Sequence, residues 1–404
     1  MIGAGIYVVV GVAVGYAGSA LAISMVLAAL VSTFTALSFC ELTAWQPSEG
    51  SIYEYAYQLI SPFAGFLTGW MWVISNTFAG AAVALGFASY LHALFPVFPT
   101  NLAAALLCLL FTALNFVGIR QSAIINNVLV AAKLGILGFF VVYGAFYIRS
   151  SNFADFNPFQ FGVLSAAFYI FFAYAGFARV AVIAEEVKDA RKNVPKAILL
   201  SLLISTVFYV FVGIVALGLV GASSLAESSS PLTKAISATG SIAAAYMVSA
   251  GGLIATASVL LTAILGVSRM MYAMARRRDL PQSLCRLHPA FNTPHYAVWI
   301  TGAVMTMLVL FVDLTRVVAV STFALLFYYT LANTAALKIK NYKRSYPKAV
   351  SILGAATCLT FLIITLLVKP EAWITGIATL TAGTIYYLAK VKLKLKRKIA
   401  NGCN

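Results

Sequence analysis

The chain alternates between long apolar stretches and short polar connections. About 20 apolar residues are enough to cross a bilayer. Twelve stretches approach or exceed this length, at roughly 2–16, 18–45, 62–93, 98–118, 122–148, 159–184, 195–221, 235–272, 296–313, 316–337, 348–368 and 371–389. Each is predicted to be a helix, because open strands leave backbone groups unpaired in lipid. The ten-residue alternating segments typical of a porin-like barrel are not found in the sequence.

Composition supports a protein whose surface lies in lipid. The 404 residues are 62% hydrophobic and 9% charged, whereas soluble domains carry about 25% charged residues. This excludes a soluble enzyme. The net charge is +16, and the basic residues responsible for it lie mainly between apolar stretches. This placement indicates contact with membrane lipid and disfavours nucleic acid as a partner. The five cysteines show no metal-binding spacing, and no metal or cofactor is predicted.

The placement of Lys and Arg predicts the orientation of the spans. Most of the 27 basic residues lie in the connections after the fourth, sixth, eighth and tenth spans and in the C-terminal tail. Four lie on the opposite side: Arg149, Lys234, Arg316 and Lys369. Because cytoplasmic loops are enriched in basic residues, we expect a multi-pass protein of the plasma membrane with a cytoplasmic C-terminus.

Lys133 is an unusual residue because it lies inside the fifth apolar stretch. The 11 acidic residues all lie at or near the ends of spans, so no carboxylate at its depth can pair with it. At 1.5 Å per residue, Lys133 is about 16 Å into the span, too deep to reach the headgroups easily. An isolated charge there costs at least about 2.5 kcal/mol. We therefore expect backbone carbonyls, hydroxyls or water as its partners.

The first and sixth stretches contain small residues that predict interrupted helices. Gly3 and Gly5 lie within one turn in the first, and Ala173, Ala175 and Gly176 follow a run of aromatics in the sixth. For a single glycine, close helix packing is the ordinary interpretation. Paired interruptions at equivalent positions of two five-helix repeats instead predict a transporter site. Half-helix ends offer N–H groups to a carboxylate and carbonyls to an ammonium, which favours an amino acid substrate.

Four segments in order carry a resemblance to a known family. They are IGAGIYV (2–8), ELTAWQPSEGSIYEYAY (41–57), FFAYAGFARVAVIAEEVKDARKNVPKAI (171–198) and GVSRMMYAMARRRDLPQSLCRLHPAFNTP (266–294). The sequence resembles amino acid permeases of the amino acid–polyamine–organocation (APC) superfamily, and is similar to the prokaryotic branch that resembles cationic amino acid transporters. The resemblance extends over nearly the whole chain.

The resemblance implies an all-α polytopic membrane protein with the LeuT-like fold. We expect a first inverted repeat of five helices at 1–148, a second at 159–340, and two C-terminal spans with a basic tail at 341–404. Members of the family have a half-helix before the first glycine motif. Met1 of this sequence already lies within that motif, so we expect the first half-helix to be missing.

The resemblance also implies which residues bind substrate. The main-chain amides around the first glycine motif would bind the carboxylate, at Ile2, Gly3, Ala4 and Gly5. The carbonyls of Phe172, Ala173 and Ala175 would take the ammonium. Either Phe172 or Tyr174 is expected to face the substrate. The small residues Ala4, Ala175 and Gly176 leave room for a neutral or broad range of side chains, and the identity of the amino acid stays open.

Lys133 aligns with a fifth-span lysine that replaces a sodium ion in proton-coupled members of the family. We therefore expect proton–amino acid symport, with a sodium-coupled symporter or an exchanger as alternatives. Glu185 and Glu186 are expected to form either a gate or a solvated loop. Arg179 departs from the family pattern and its role stays open, as does the oligomeric state. A membrane enzyme is disfavoured, since no acid lies mid-span and the sequence has no HExxH motif.

Overall fold

The computed structural model describes residues 2–47, 51–118, 123–178, 187–340, 342 and 344–401, which contain helices and no β-strand. Their α-helices are α1 (Ala4–Ala17), α2 (Leu21–Trp45), α3 (Ser51–Leu59), α4 (Pro62–Leu94), α5 (Thr100–Val117), α6 (Ala123–Ala145), α7 (Phe161–Tyr174), α8 (Ala190–Ala226), α9 (Pro231–Ser237), α10 (Ile242–Arg276), α11 (His295–Phe311), α12 (Leu314–Leu337), α13 (Lys348–Val368) and α14 (Pro370–Asn401). Short 3₁₀ turns lie at Gly18–Ala20, Ser150–Phe153, Ala175–Phe177 and Gln282–Cys285.

Eight helical stretches of the described residues are long and apolar enough to cross a membrane. One of them, Gly5–Trp45, contains most of α1 and all of α2, and two shorter apolar helices span Phe161–Phe177 and His295–Phe311. The predicted all-α polytopic membrane protein is therefore confirmed.

The predicted eighth span is wrong at its start. The stretch at 235–272 begins inside the short helix α9, and the long helix α10 begins only at Ile242. Gly240 has a φ of +79° between them, and the Ser241 hydroxyl accepts a hydrogen bond from the N–H of Ala244. A turn and a helix N-cap therefore separate two helices that hydropathy merges into one.

Spans five places apart pack against each other in antiparallel pairs. A Cβ on Gly5 of α1 would lie 2.5 Å from the Cα of Ala173 near the end of α7. Near the other end of α1, a Cβ on Gly162 of α7 would collide with the carbonyl of Tyr16. The start of α1 therefore meets the end of α7.

Three further pairs repeat this arrangement. In α2 and α8, Met25 lies against Gly213, while Cys40 donates a hydrogen bond to the carbonyl of Pro195. In α4 and α10, Gly69 faces Met274 and Tyr90 faces Gly252. In α5 and α11, Thr112 faces Gly302, and the rings of Phe116 and Trp299 lie 5.8 Å apart. These antiparallel pairs fit the inverted repeats of the family, whose residue boundaries stay a prediction.

The two C-terminal helices are bonded to the helices of the repeats. On α13, the Ser351 hydroxyl accepts a hydrogen bond of 2.9 Å from Ser38 of α2. On α14, the carbonyl of Thr379 accepts a hydrogen bond of 2.9 Å from the Trp70 indole of α4. Near the start of α14, Glu371 forms an ion pair of 2.9 Å with Arg316. Polar contacts therefore help to hold both helices against the helices of the repeats.

Candidate substrate and coupling site

The beginning of α1 forms one side of the candidate site. The helix starts at Ala4 after Gly3, which has extended backbone (φ −152°). The first-turn N–H groups of a helix have no intrahelical acceptor, and the helix dipole is positive at this end. Gly5 lies inside α1, where the helix is continuous. Its missing side chain lets the backbone of Ala173 approach.

The end of α7 forms the other side. The α-helix ends at Tyr174 and changes to a 3₁₀ turn at Ala175–Phe177, where the sequence predicted an interruption. The carbonyl of Ala173 accepts a hydrogen bond of 3.1 Å from the Tyr209 hydroxyl of α8. The carbonyl of Ala175 accepts one of 3.2 Å from the Tyr329 hydroxyl of α12.

The third carbonyl expected to meet an ammonium is also engaged, since that of Phe172 accepts from the N–H of Ala175. The protein therefore fixes the orientation of these carbonyls.

The two aromatic candidates for substrate contact have different surroundings. Tyr174 is fully buried, its hydroxyl donates to the carbonyl of Met25 at 3.4 Å, and its ring lies 5.0 Å from that of Tyr209. These contacts hold Tyr174 between α2 and α8. Phe172 is 9% exposed, and the neighbouring Ala175 and Gly176 are partly exposed. Of the two aromatics, Phe172 lies on the more open side of the helix end.

Lys133 lies in the interior, on the inward face of α6, and is 5% exposed. Its Nζ donates a hydrogen bond of 2.5 Å to the Ser258 hydroxyl of α10. Ser258 in turn donates to the carbonyl of Ala255 at 3.1 Å. Among the described residues no carboxylate forms an ion pair with Lys133. A hydroxyl, one of the expected partner types, therefore meets the ammonium.

The helices α1, α6 and α10 meet at Gly251, two turns along α10 from Ser258. A Cβ on Gly251 of α10 would lie 2.7 Å from a side-chain carbon of Ile136 and 3.0 Å from the Tyr7 hydroxyl. Ile136 is one turn from Lys133 on α6, and Tyr7 is one turn from Ala4 on α1. The first turns of α1 therefore pack on α10 two turns away from Ser258.

Several predicted residues cannot be placed. Glu185, Glu186 and Arg179 lie outside the described residues, as does any gate that they form. No group of three or more His, Cys, Asp and Glu side chains that could hold a metal ion occurs in the described part of the chain.

Three contacts of the candidate site were missed by reasoning from the sequence. They are the hydroxyls of Ser258, Tyr209 and Tyr329. A polar group inside a span signals a need for a partner. However, the sequence does not indicate which of the many span hydroxyls meets Lys133, and the partner lies 125 positions away along the chain.

Comparison with known proteins places the sequence among transporters. The family profile described as amino acid permease matches residues 1–389. A methylthioribose transporter of Bacillus subtilis is 31% identical over 98% of this chain and 92% of its own length. The branched-chain amino acid permease BcaP of the same species is 30% identical over 93% of this chain and 86% of its own length. Cationic amino acid transporter 3 of Arabidopsis thaliana is 30% identical over 84% of this chain and 60% of its own length.

Proposed function

Because the chain belongs to the amino acid permease family, we propose that it is a secondary active transporter that carries amino acids with protons by alternating access. The observation that carries the proton coupling is the buried pair of Lys133 and Ser258. It provides a titratable group between two packed helices, with no anion among its described partners.

The substrate follows from the two helix ends. The first-turn amides of α1 favour the carboxylate of an amino acid, and the carbonyls at the end of α7 favour its ammonium. These groups lie together because α1 and α7 are antiparallel and in contact at Gly5 and Ala173. Small side chains at Ala175 and Gly176 favour a neutral or broad range of substrates. Branched-chain and cationic amino acids and methylthioribose, which the names of the relatives mention, are the first compounds to compare.

Coupling requires that Lys133 be accommodated both with and without its proton. The Ser258 hydroxyl meets this requirement, because it accepts a hydrogen bond from the ammonium and can donate one to the neutral amine. The protonated form binds α6 more strongly to α10, since hydrogen bonds of charged groups are stronger than neutral ones. Proton binding and release would then favour different relative positions of these helices. Most Lys and Arg residues, including Arg276, Arg277 and Arg278 at the end of α10, lie on one face of the protein, which we call the basic face. We place this face and the C-terminus in the cytoplasm.

Uptake of labelled amino acids into proteoliposomes tests the proposal. An inward proton gradient in sodium-free buffer is expected to drive accumulation above equilibrium, whereas a sodium gradient alone is not. Lys133→Ala is expected to retain exchange and to lose accumulation, because the proton has no acceptor. The matched control is Lys234→Ala, at an exposed lysine of α9. Undiminished proton-driven accumulation in Lys133→Ala would overturn the coupling mechanism, and accumulation driven only by sodium would replace it.

A further inference from the structure

A buried ion pair joins the C-terminal helix to the end of α10. Asp279 follows α10 and is 6% exposed. One of its carboxylate oxygens accepts a hydrogen bond of 2.6 Å from the Tyr53 hydroxyl of α3, and the other contacts the Nζ of Lys390 on α14. The side chains of Lys390 and Asp279 are 15% and 8% exposed. The helices α3 and α14 and the segment after α10 therefore meet at one carboxylate.

A second contact holds α3 against the same end of α10. Arg277 forms an ion pair of 2.5 Å with Glu54, and its guanidinium lies 4.5 Å from the centre of the Tyr57 ring. The pKa of the Tyr53 phenol is raised, mainly by burial and secondly by its hydrogen bond to Asp279. Tyr53 therefore stays protonated and donates to the carboxylate. The helix α3 is thus bound to α10 through both Asp279 and Arg277.

The helix α10 connects this cluster to Lys133. It runs unbroken from Ile242 to Arg276, with Ser258 near its middle and Asp279 just beyond its end. An α-helix moves largely as a rigid element, so a shift of α10 that changes the contact of Ser258 with Lys133 also moves Asp279. The two sites are therefore mechanically linked.

We propose that Lys390 and Asp279 form a latch that holds the basic end of α10 closed against α3 and releases when that end opens. The inference rests on the proposed transport function, because it concerns opening of the face that we place in the cytoplasm. It assigns a positioning role to α14, a helix outside the two predicted repeats.

The latch favours the closed state for an electrostatic reason. In the closed state Asp279 is buried, and removal of its partner leaves an uncompensated charge. In the open state water solvates both groups, where an ion pair contributes little. Loss of Lys390 therefore raises the free energy of the closed state more than that of the open state, and shifts the population towards opening.

A buried methionine provides a reporter for this opening. Met274 is fully buried, and a Cβ on Gly69 of α4 would lie 2.9 Å from its sulfur and 2.8 Å from a ring carbon of Tyr53 on α3. Met274→Cys is introduced after the native cysteines are replaced by serine, at positions Cys40, Cys108, Cys285, Cys358 and Cys403. The rate of reaction with a membrane-impermeant maleimide applied at the basic face, without substrate, then measures how often α10 separates from α3.

Lys390→Gln is expected to raise the labelling rate of this cysteine several-fold. The matched control is Glu371→Gln, which breaks the ion pair with Arg316 at the other end of α14, where both side chains are more than half exposed. An unchanged rate in Lys390→Gln overturns the latch. So does an equal rise in both variants, which would indicate general loosening of α14.

Lys390→Arg, which keeps the positive charge and leaves the bond of Asp279 to Tyr53 in place, keeps the test decisive when Lys390→Gln does not fold. Labelling as slow as in the parent supports the latch, and fast labelling in a Lys390→Arg protein that elutes as a single folded species overturns it. Since labelling needs no substrate, the result is independent of transport. If the parent moves no amino acid but Lys390→Gln opens the basic face, the proposed function fails and the latch stands.

Discussion

Ser258 lies directly opposite Lys133, so that a basic side chain deep inside an apolar span meets a hydroxyl at 2.5 Å on another helix. The pair is buried, and its two helices otherwise contact through apolar groups such as Ile136 and Gly251. The strength of the contact between α6 and α10 at this depth therefore depends on whether the amine is protonated.

We expect Ser258→Ala to weaken proton-driven accumulation while leaving exchange largely intact. A hydrogen bond to a charged group contributes about 1.5–3 kcal/mol, so the loss in gradient-driven uptake should be roughly tenfold or more. Ser258→Thr keeps the hydroxyl and should retain most of the activity. Thr262→Ala, one turn along α10 at an exposed position, is the control. Equal activity of Ser258→Ala and Ser258→Thr would show that the hydroxyl has no part in coupling.

Gly5→Ala should destabilise the protein and abolish transport. The new Cβ would lie 2.5 Å from Ala173 backbone and side-chain atoms, so α1 and α7 must move apart. Overpacking of this kind costs roughly 1–3 kcal/mol. Gly135→Ala on α6 is the control, because its Cβ would meet nothing within 4 Å. Thermal unfolding in detergent should give a lower Tm for Gly5→Ala alone, and identical Tm values would refute close packing at this point.

The tyrosines that hold the carbonyls of α7 should affect substrate affinity more than turnover. Tyr329→Phe and Tyr209→Phe remove the donors to Ala175 and Ala173. A neutral hydrogen bond contributes about 0.5–1.5 kcal/mol net, so we expect a several-fold rise in KM with little change in maximal rate. Tyr246→Phe, at an exposed position of α10, serves as the reference. A fall in maximal rate at unchanged KM would assign the two hydroxyls a role in conformational change instead.

Glu41→Ala should lower stability. Glu41 is 2% exposed, and one carboxylate oxygen accepts the N–H groups of Ser345 at 2.6 Å and Tyr346 at 2.7 Å. Each partly buried donor left unpaired costs about 1–3 kcal/mol. Glu227→Ala, at an exposed position, should change the free energy of unfolding by less than about 0.5 kcal/mol. A Tm for Glu41→Ala that matches the parent would show that water replaces the carboxylate.

Features governed by hydropathy could be predicted from the sequence. The predicted span at 348–368 coincides with α13, since its ends are marked by Pro347 and Lys369. The absence of an acid at the depth of Lys133 was also readable, because acidic residues are few and cluster at span ends. The change of helix type at Ala175 followed from small residues after a run of aromatics.

Features that depend on contacts between helices could not be predicted in this way. Gly5 permits close packing or unwinding equally well, and only the position of Ala173 decides between them. The choice of Ser258 as the partner of Lys133 depends on the rotation of α10 about its axis. The pairing of Asp279 with Lys390 joins residues 111 positions apart, one just beyond the end of α10 and the other within α14.

The antiparallel contact of α1 with α7 has a consequence for how such proteins diversify. If main-chain groups at these two helix ends bind the charged groups of the substrate, most side-chain substitutions leave that recognition unchanged. Selectivity then evolves at the surrounding side chains, such as Phe172, while the part common to all amino acids is inherited with the backbone. Because the two helix ends are in contact, the distance between the groups that bind the carboxylate and those that bind the ammonium is also fixed. Amino acids whose carboxylate and ammonium are separated by additional methylene groups should fit poorly, whatever their side chain.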